Sequence, residues 1–503
     1  MKNRPLAALL LPGVLAGCVS GAALEADVAA YQDPKAGFIP VFAGSAQATG
    51  KRTVWVQSQE EALELRREVK SLVVQKLVGA DTAVQVALLS NKGLQAAYAN
   101  IGIDAADVWQ QMLPQNPTVS VGVLGIGAPE MLLFRAIEGM VTTNLQAMYT
   151  RERRVELARM KFEQTQLKAV EETLRLAADT RRAWIRAVSA NEVVAYLNQG
   201  QAAADAASEL AKKLGESGAM PKAAQAREHA FYAELTGQLA EARLNAKLAK
   251  EELARLMGLW GSELDFSLPN KLPQLPKSLR SGAAIEAEAL RNRVDLKIAL
   301  LELELAAKAF GLTNATRYLT DLELISGVEI EQEVETEYEL NGGHLDQREE
   351  RKLVMTPQLE FEFVIPIFDS GQARLRKAEL AYLKAANLVA ERAVNVRSEA
   401  RSAYTSYRAR HELARHYKSN VLPLRQSIEE ESLLTYNGMI TNTFELLADT
   451  RAKISTLLLS VSAKRDFWLA DADLNAVIFG PGSGASAGSA AAPEMAESGG
   501  SPH

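Results

Sequence analysis

Three groups of side chains are of types that could do chemistry. His411-Glu412-Leu413-Ala414-Arg415-His416 carries two imidazoles and a carboxylate, the donor types of helical zinc motifs. Such motifs set their histidines four apart on one helix face. Here they are five apart, about 140° round the axis. The pair is read as a solvated helix face, and no metal is assigned. Gly122, Gly125 and Gly127 could cradle a phosphate only if a helix began directly after them. None is read there, so they are taken as strand backbone. The third group is carboxylate: Glu329, Glu331, Glu333, Glu335, Glu337 and Glu339, with Glu360 and Glu362 further on. Paired carboxylates can hold metal or split glycosidic bonds. A strict period of two is instead the mark of one wet strand face. No Ser/His/Asp or Cys/His set has a supporting motif. The single Cys excludes an intramolecular disulfide and a cysteine zinc site. A net charge of -6 points away from nucleic acid. The chain is read as a non-enzyme with no cofactor.

The carboxylate rows imply the strands that position them. Val328, Ile330, Val334, Thr336, Tyr338 and Leu340 alternate with the glutamates. Asn341-Gly342-Gly343 is a turn signal. The returning strand sets Leu353, Met355, Leu359, Phe361, Phe363 and Ile365 against Glu360 and Glu362. An earlier segment sets Val119, Val121 and Val123 against Thr118, Ser120 and Gly122, and its return, near Met131 to Val141, is poorly patterned. The long strands suit tilted membrane β-strands. Four strands cannot close a barrel, and open edges are not tolerated in lipid, so the chain must oligomerise.

Between the strands the chain is built for long helices. Leu145 to about Leu214 holds one Gly and no Pro. At ~1.5 Å per residue this is roughly 100 Å of helix. The next helix carries two apolar stripes. One is Ala223, Ala226, Ala230, Ala233, Gly237, Ala240 and Leu244; the other is Phe231, Leu235, Leu239, Ala242, Ala246, Ala249, Leu253 and Leu256. They lie on nearly opposite sides, so the helix needs a neighbour on each, as in a closed ring. The organisation is duplicated. Leu94-Gln95-Ala96-Ala97-Tyr98 is echoed by Leu296-Lys297-Ile298-Ala299-Leu300, Arg182-Ala183-Trp184 by Ser402-Ala403-Tyr404, and Gly218 by Gly438. A repeat of roughly 200 residues is a duplicated domain, far longer than a solenoid unit. Pro269, Pro273 and Pro276 bar a helix between the copies. The expected division is 1–17 signal peptide, 18–80 N-terminal segment, 81–267 first repeat, 268–280 linker, 281–479 second repeat and 480–503 a Gly/Ser/Ala-rich disordered tail.

Lys2 and Arg4 precede an apolar run, Leu6 to Leu15, too short to span a bilayer as a helix. It ends in Leu15-Ala16-Gly17-Cys18, which resembles the lipobox of bacterial lipoproteins. The resemblance implies that Cys18 opens the mature chain and carries acyl groups such as palmitate. Val19 in place of an aspartate favours the outer membrane.

Two further segments carry a wider resemblance. Pro366-Ile367-Phe368-Asp369-Ser370-Gly371 is similar to the strand-to-helix signature of the TolC-like outer-membrane efflux proteins. Tyr436-Asn437-Gly438-Met439, followed by Phe444-Glu445-Leu446-Leu447-Ala448-Asp449, resembles that family's periplasmic helical hairpin. The likeness spans roughly residues 80–480. The first copy departs from it, with Asn144-Leu145-Gln146 at the signature position and Met220-Pro221 after the tip glycine. The implied fold is mainly α with a transmembrane β-barrel contribution. It is a duplicated helix, β-hairpin and long helix pair, assembled as a trimeric α-barrel plus a 12-stranded β-barrel. The implied partners are two further copies, a periplasmic adaptor, an inner-membrane pump and outer-membrane lipid. Ser217, Gly218, Met220, Asn437, Gly438, Met439 and Thr441 would meet the adaptor, with both glycines at positive φ. Glu445 and Asp449 would line the aperture, and Glu329, Glu331, Glu333, Glu335, Glu360 and Glu362 the barrel lumen. The function so implied is a passive exit duct of a tripartite efflux system, lipid-anchored in the outer membrane and extending into the periplasm. A structural coiled-coil lipoprotein of the periplasm is the alternative.

Cys18→Ser is expected to abolish acyl labelling of the chain in growing cells, and labelling that persists refutes the anchor. Trimer assembly is expected to survive the change, because barrel closure buries far more surface than the anchor.

Overall fold

The computed structural model describes residues 21–126, 135–319, 321–341, 344–438 and 443–480. Cys18, Met439, Thr441 and the tail beyond 480 lie outside these. Five helices lead in: α1 (Gly21–Gln32), α2 (Phe38–Thr49), α3 (Gln59–Val73), α4 (Ala80–Ser90) and α5 (Lys92–Met112). The hairpin β1 (Thr118–Leu124) and β2 (Ala136–Asn144) follows, then α6 (Leu145–Glu216) and α7 (Lys222–Leu256). The second copy runs α8 (Ile285–Asn292), α9 (Val294–Ala315), β3 (Leu322–Asn341), β4 (His344–Phe363), α10 (Gln372–His416), α11 (Leu422–Asn437) and α12 (Thr443–Phe479). The unbroken helix expected from Leu145 is α6, 72 residues long. The poorly patterned return strand begins at Ala136, inside the segment first assigned to it, and ends at Asn144.

The chain forms two compact units, and each draws on both repeats. One comprises residues through Ala36, Gly102–Gln164 and Leu300–Leu388, and holds the sheet. The other comprises Gly37–Ile101, Thr165–Ala299 and the chain from Val389 onward, and is helical.

Within the helical unit the duplication is written in hydrogen bonds. Helix α4 passes into α5 through Asn91 (φ -64, ψ 122), and α8 into α9 through Arg293 (φ -63, ψ 124). The side chain of Asn91 caps α5 by accepting the Leu94 N–H at 3.1 Å. Asp295 accepts the Leu296 N–H at 3.0 Å in the other copy. Trp184 Nε1 donates to the Val78 carbonyl at 2.9 Å, just ahead of α4. Tyr404, its counterpart, donates to the Arg280 carbonyl at 3.3 Å, just ahead of α8. Each aromatic therefore ties a long helix to the entry of its own repeat. Around Trp184 pack Val73, Val86, Leu253 and Met257; the second core gathers Ile285, Tyr407, Phe467 and Leu474.

His411 corrects the sequence reading. It is buried at 7% exposure rather than solvated. Its Nε2 lies 3.1 Å from the Pro276 carbonyl, and its ring stands edge-on to Phe467. Only His416 lies on the exposed face. The proline linker is likewise packed down. Leu268 and Leu272 are buried, and Trp468 Nε1 donates to the Pro273 carbonyl at 3.1 Å.

The two stripes of α7 meet different fates. Leu235, Leu239 and Ala242 pack on Leu197 and Ala204 of α6 and Leu458 of α12, and Leu253 enters the core around Trp184. The small-residue stripe from Ala223 to Leu244 is exposed throughout in a single chain.

The turn from α6 to α7 closes on itself. Ala219 and Met220 both donate to the Leu214 carbonyl, at 2.8 and 3.1 Å, across Gly218 at φ +77. This left-handed ending is one that glycine adopts without steric cost. Met220 packs against Ala211, Leu214 and Ala224 at 5% exposure. It is therefore a plug inside the turn rather than the exposed tip residue expected from the sequence. Gly438 also departs from expectation, with φ -77. Its N–H donates to Leu434 O at 2.9 Å, continuing the helical pattern, so no left-handed residue is needed there. Gly218→Val is therefore expected to destabilise its turn by ~1–2 kcal/mol, while Gly438→Ala is neutral or slightly stabilising. Amide exchange of the flanking helix ends measures both.

Candidate functional site: a two-faced sheet

The sheet runs β1-β2-β3-β4, antiparallel throughout. Directly opposed residues share a face, so the register assigns every side chain. Leu324 faces Phe361, Ser326 faces Leu359 and Ile330 faces Met355. On the same face β1 brings Val119 opposite Val141 and Val123 opposite Ile137. The other face opposes Glu323 to Glu362, Ile325 to Glu360 and Glu329 to Glu138. The register thus aligns the two faces across all four strands without a slip, although Gly139 and Met140 interrupt the alternation on β2. The apolar face is bare: Val121 is 71% exposed and Leu359 68%.

The apolar face has limits. β3 and β4 are 20 residues each, but β2 accompanies β3 only as far as Glu331. Near that point the apolar row is interrupted by Gln332 on β3 and, past Leu353, by Arg351 on β4. The apolar length, Leu322 to Gln332, is that of one tilted membrane strand. The other nine residues of each strand continue the hairpin alone. At the helix end of the sheet, Tyr149, Tyr318, Phe363 and Phe368 are exposed, an aromatic border of the kind that lines a membrane interface.

The carboxylate face is partly neutralised, which the sequence pattern did not reveal. Glu329 accepts from Gln358 Nε2 at 2.8 Å, and Glu331 pairs with Arg135 at 3.4 Å. Glu335 pairs with Lys352, whose hydrogen bond and charge hold its carboxyl below the usual range. Glu333 stands opposite Lys352 in register. Glu360 and Glu362 are exposed. The side chains of Glu337 and Glu339 lie outside the description.

Two junctions hold the sheet to its helices. At the signature segment, Asp369 accepts the Gly371 N–H at 2.8 Å, and Arg317 Nε donates to the Ser370 carbonyl at 2.8 Å. Gly371 sits at φ +71, where a Cβ would come within 2.9 Å of Arg317. In the first copy Asn144 does this work. Its Oδ1 caps α6 by accepting the Ala147 N–H at 2.7 Å, and its Nδ2 donates to Asp321 at 3.0 Å. The departure from the signature is thus a helix N-cap joined to the entry of β3. Sequence reasoning marked Asn144 only as a departure from the signature and missed the cap, although an Asn directly before a long helical run is a start signal.

At the tips, Ser217 and Gly218 are exposed and Gly438 ends α11. Glu445 is exposed one turn before Asp449, which accepts from Ser432 of α11. Lys453 of α12 pairs with Glu429. Among the described residues no helix is long and apolar enough to cross a membrane.

No family model matches the chain, and no curated protein does. Solved structures do. It superposes on the Campylobacter jejuni CmeC outer membrane channel with a TM-score of 0.64, at 16% identity over 80% of this chain and 85% of that one. The outer-membrane channel OprN gives 0.63, at 17% identity over 87% and 95%. CusC, described in terms of transmembrane channel formation, gives 0.62, at 16% identity over 80% and 92%. The two-faced sheet and the duplicated helix pairs are therefore parts of one known architecture: this chain has the fold of the TolC-like outer-membrane efflux channels.

Proposed function

We propose that the chain is the outer-membrane exit duct of a tripartite efflux system, a passive channel for substrates delivered by an inner-membrane pump through a periplasmic adaptor. The observation that carries this reading is the sheet: one bare apolar face, one carboxylate face, and outer edges on β1 and β4 with no strand beyond them among the described residues. Such a sheet is at home only where hydrocarbon meets one face and water the other. Its edges must be paired there, because no water satisfies them. Three copies of four strands close a 12-stranded barrel. The exposed stripe of α7 would meet a neighbouring copy in the same trimer, its alanines and Gly237 allowing close approach. The similarity to outer-membrane channels supports the same location, with Cys18 as lipid anchor and the helices extending into the periplasm.

In this arrangement the glutamate row faces the lumen. The opposite choice would set carboxylates in hydrocarbon. Three copies of the row, narrowed by the bore, make a negative potential that draws cations. Arg135 and Lys352 reduce it locally. The adaptor would meet Ser217, Gly218, Asn437, Gly438, Met439 and Thr441, and Glu445 and Asp449 would stand near the closed end. Energy and cargo selection reside in the pump. A structural periplasmic lipoprotein would form no conducting pore.

Two measurements test the reading. In a planar bilayer under a salt gradient, the reversal potential should report cation preference, reduced when Glu329, Glu331 and Glu333 become Gln. Anion preference, or no effect of the substitutions, refutes the acidic lumen. Ala233→Glu with Ala240→Glu should convert heat-modifiable trimers in outer-membrane fractions to monomers of unchanged helicity. A trimer that survives both charges refutes packing through this stripe.

A further inference from the structure

The helical unit holds a recess that the duct reading does not use. It lies beneath the inter-repeat linker and has a volume of about 210 Å³, lined in part by Glu192, Tyr196, Lys271, Gln274, Lys418 and Lys464. This is below the ~300–1,000 Å³ of pockets for drug-sized ligands. Three lysines reach it from three different elements: the linker, the turn between α10 and α11, and α12.

The walls are built. Glu192 is buried at 3% exposure, and its Oε2 accepts the Leu272 N–H at 3.0 Å. Lys464 Nζ lies 3.3 and 3.5 Å from its two oxygens. The one carboxylate among the lining residues is therefore already spent on the linker and on Lys464. Lys418 sits in a π turn, Tyr417–Val421, where the Leu422 N–H donates to the Tyr417 carbonyl. Pro423 accounts for that turn: it has no N–H, and its ring clashes with the carbonyl four residues back. Lys418 Nζ then donates to Gln274 of the linker at 2.8 Å. Lys271 Nζ lies 5.8 Å from the Tyr196 ring centre. Among the described residues neither Lys271 nor Lys418 pairs with a carboxylate.

Three ammonium groups on one small recess repel each other, and a single carboxylate offsets only one of them. An oxyanion relieves the repulsion, because each ammonium offers up to three donors and an oxyanion offers only acceptors. Lysines act as point charges without the planar fork of arginine, so they suit a compact anion approached from several sides. We propose that this recess binds a small dianion, phosphate or a short dicarboxylate, which clamps the linker to the π turn and to α12.

The test is calorimetric titration of the full chain, purified in detergent, with inorganic phosphate, with succinate, and with chloride at matched ionic strength. Saturable binding of phosphate or succinate, absent with chloride, is expected, and the tighter of the two identifies the ligand class. Lys271→Gln with Lys418→Gln should weaken that binding at least ten-fold, while Lys271→Arg keeps it. Both lysines are exposed, so the double variant should fold, which an unchanged melting temperature in chloride verifies. Binding of neither dianion, equal binding of chloride, or undiminished affinity in the double variant overturns the proposal.

Discussion

A β-strand has two faces and no third. Once one row of side chains is committed to hydrocarbon, the pleat commits the other row to whatever the sheet encloses. Hydrogen bonding commits the edges as well, because an unpaired strand in a bilayer has no water to turn to. The rest of this molecule follows from that constraint. Among the described residues the chain supplies four strands, too few to close a barrel. In the proposed duct, closure would come from further copies of the chain, and the long helices would then pack side by side as the strands do. The bare stripe on α7 would answer that need.

The duplication lets one solution serve twice, with different chemistry at equivalent points. Trp184 and Tyr404 each bind a carbonyl at the mouth of their own repeat, one through an indole, the other through a phenol. Asn91 and Arg293 occupy the same backbone bend. Only Arg293 is fully buried in an ion cluster, bidentate to Asp295 and paired with Glu399. At the sheet exits a glycine turn in one copy is matched by an Asn144 cap in the other. The local fold is retained while the means of holding it diverge.

What could be read from the sequence were features with a period. The alternation at Glu329 to Glu339 assigned both faces of β3, and the α7 stripes marked two opposite faces that each call for a neighbour, one of which is met within the chain. Features resting on a single distant partner could not be read. His411 looked solvated because its own helix turn is polar; Phe467 and Pro276, far along the chain, bury it. Met220 followed a turn glycine and so looked exposed, but the Leu214 carbonyl draws it inward. Lys352 blunts the acidic face through register, and Arg135 does so from just ahead of β2, which no local window contains. The start of β2 was blurred because Gly139 and Met140 break its alternation.

The π turn at Tyr417–Val421 carries a consequence for timing along the helix rather than for binding. One inserted residue sets every later side chain back by about 100° of rotation. Residues of α11 that meet α12, such as Glu429 against Lys453 and Ser432 against Asp449, are aimed by that shift. Pro423 thus acts as a phase setting, fixing which flank of the lower helix faces its partner. A chain with the same stripes and no such offset would present the wrong flank to its neighbour over the entire length of α11.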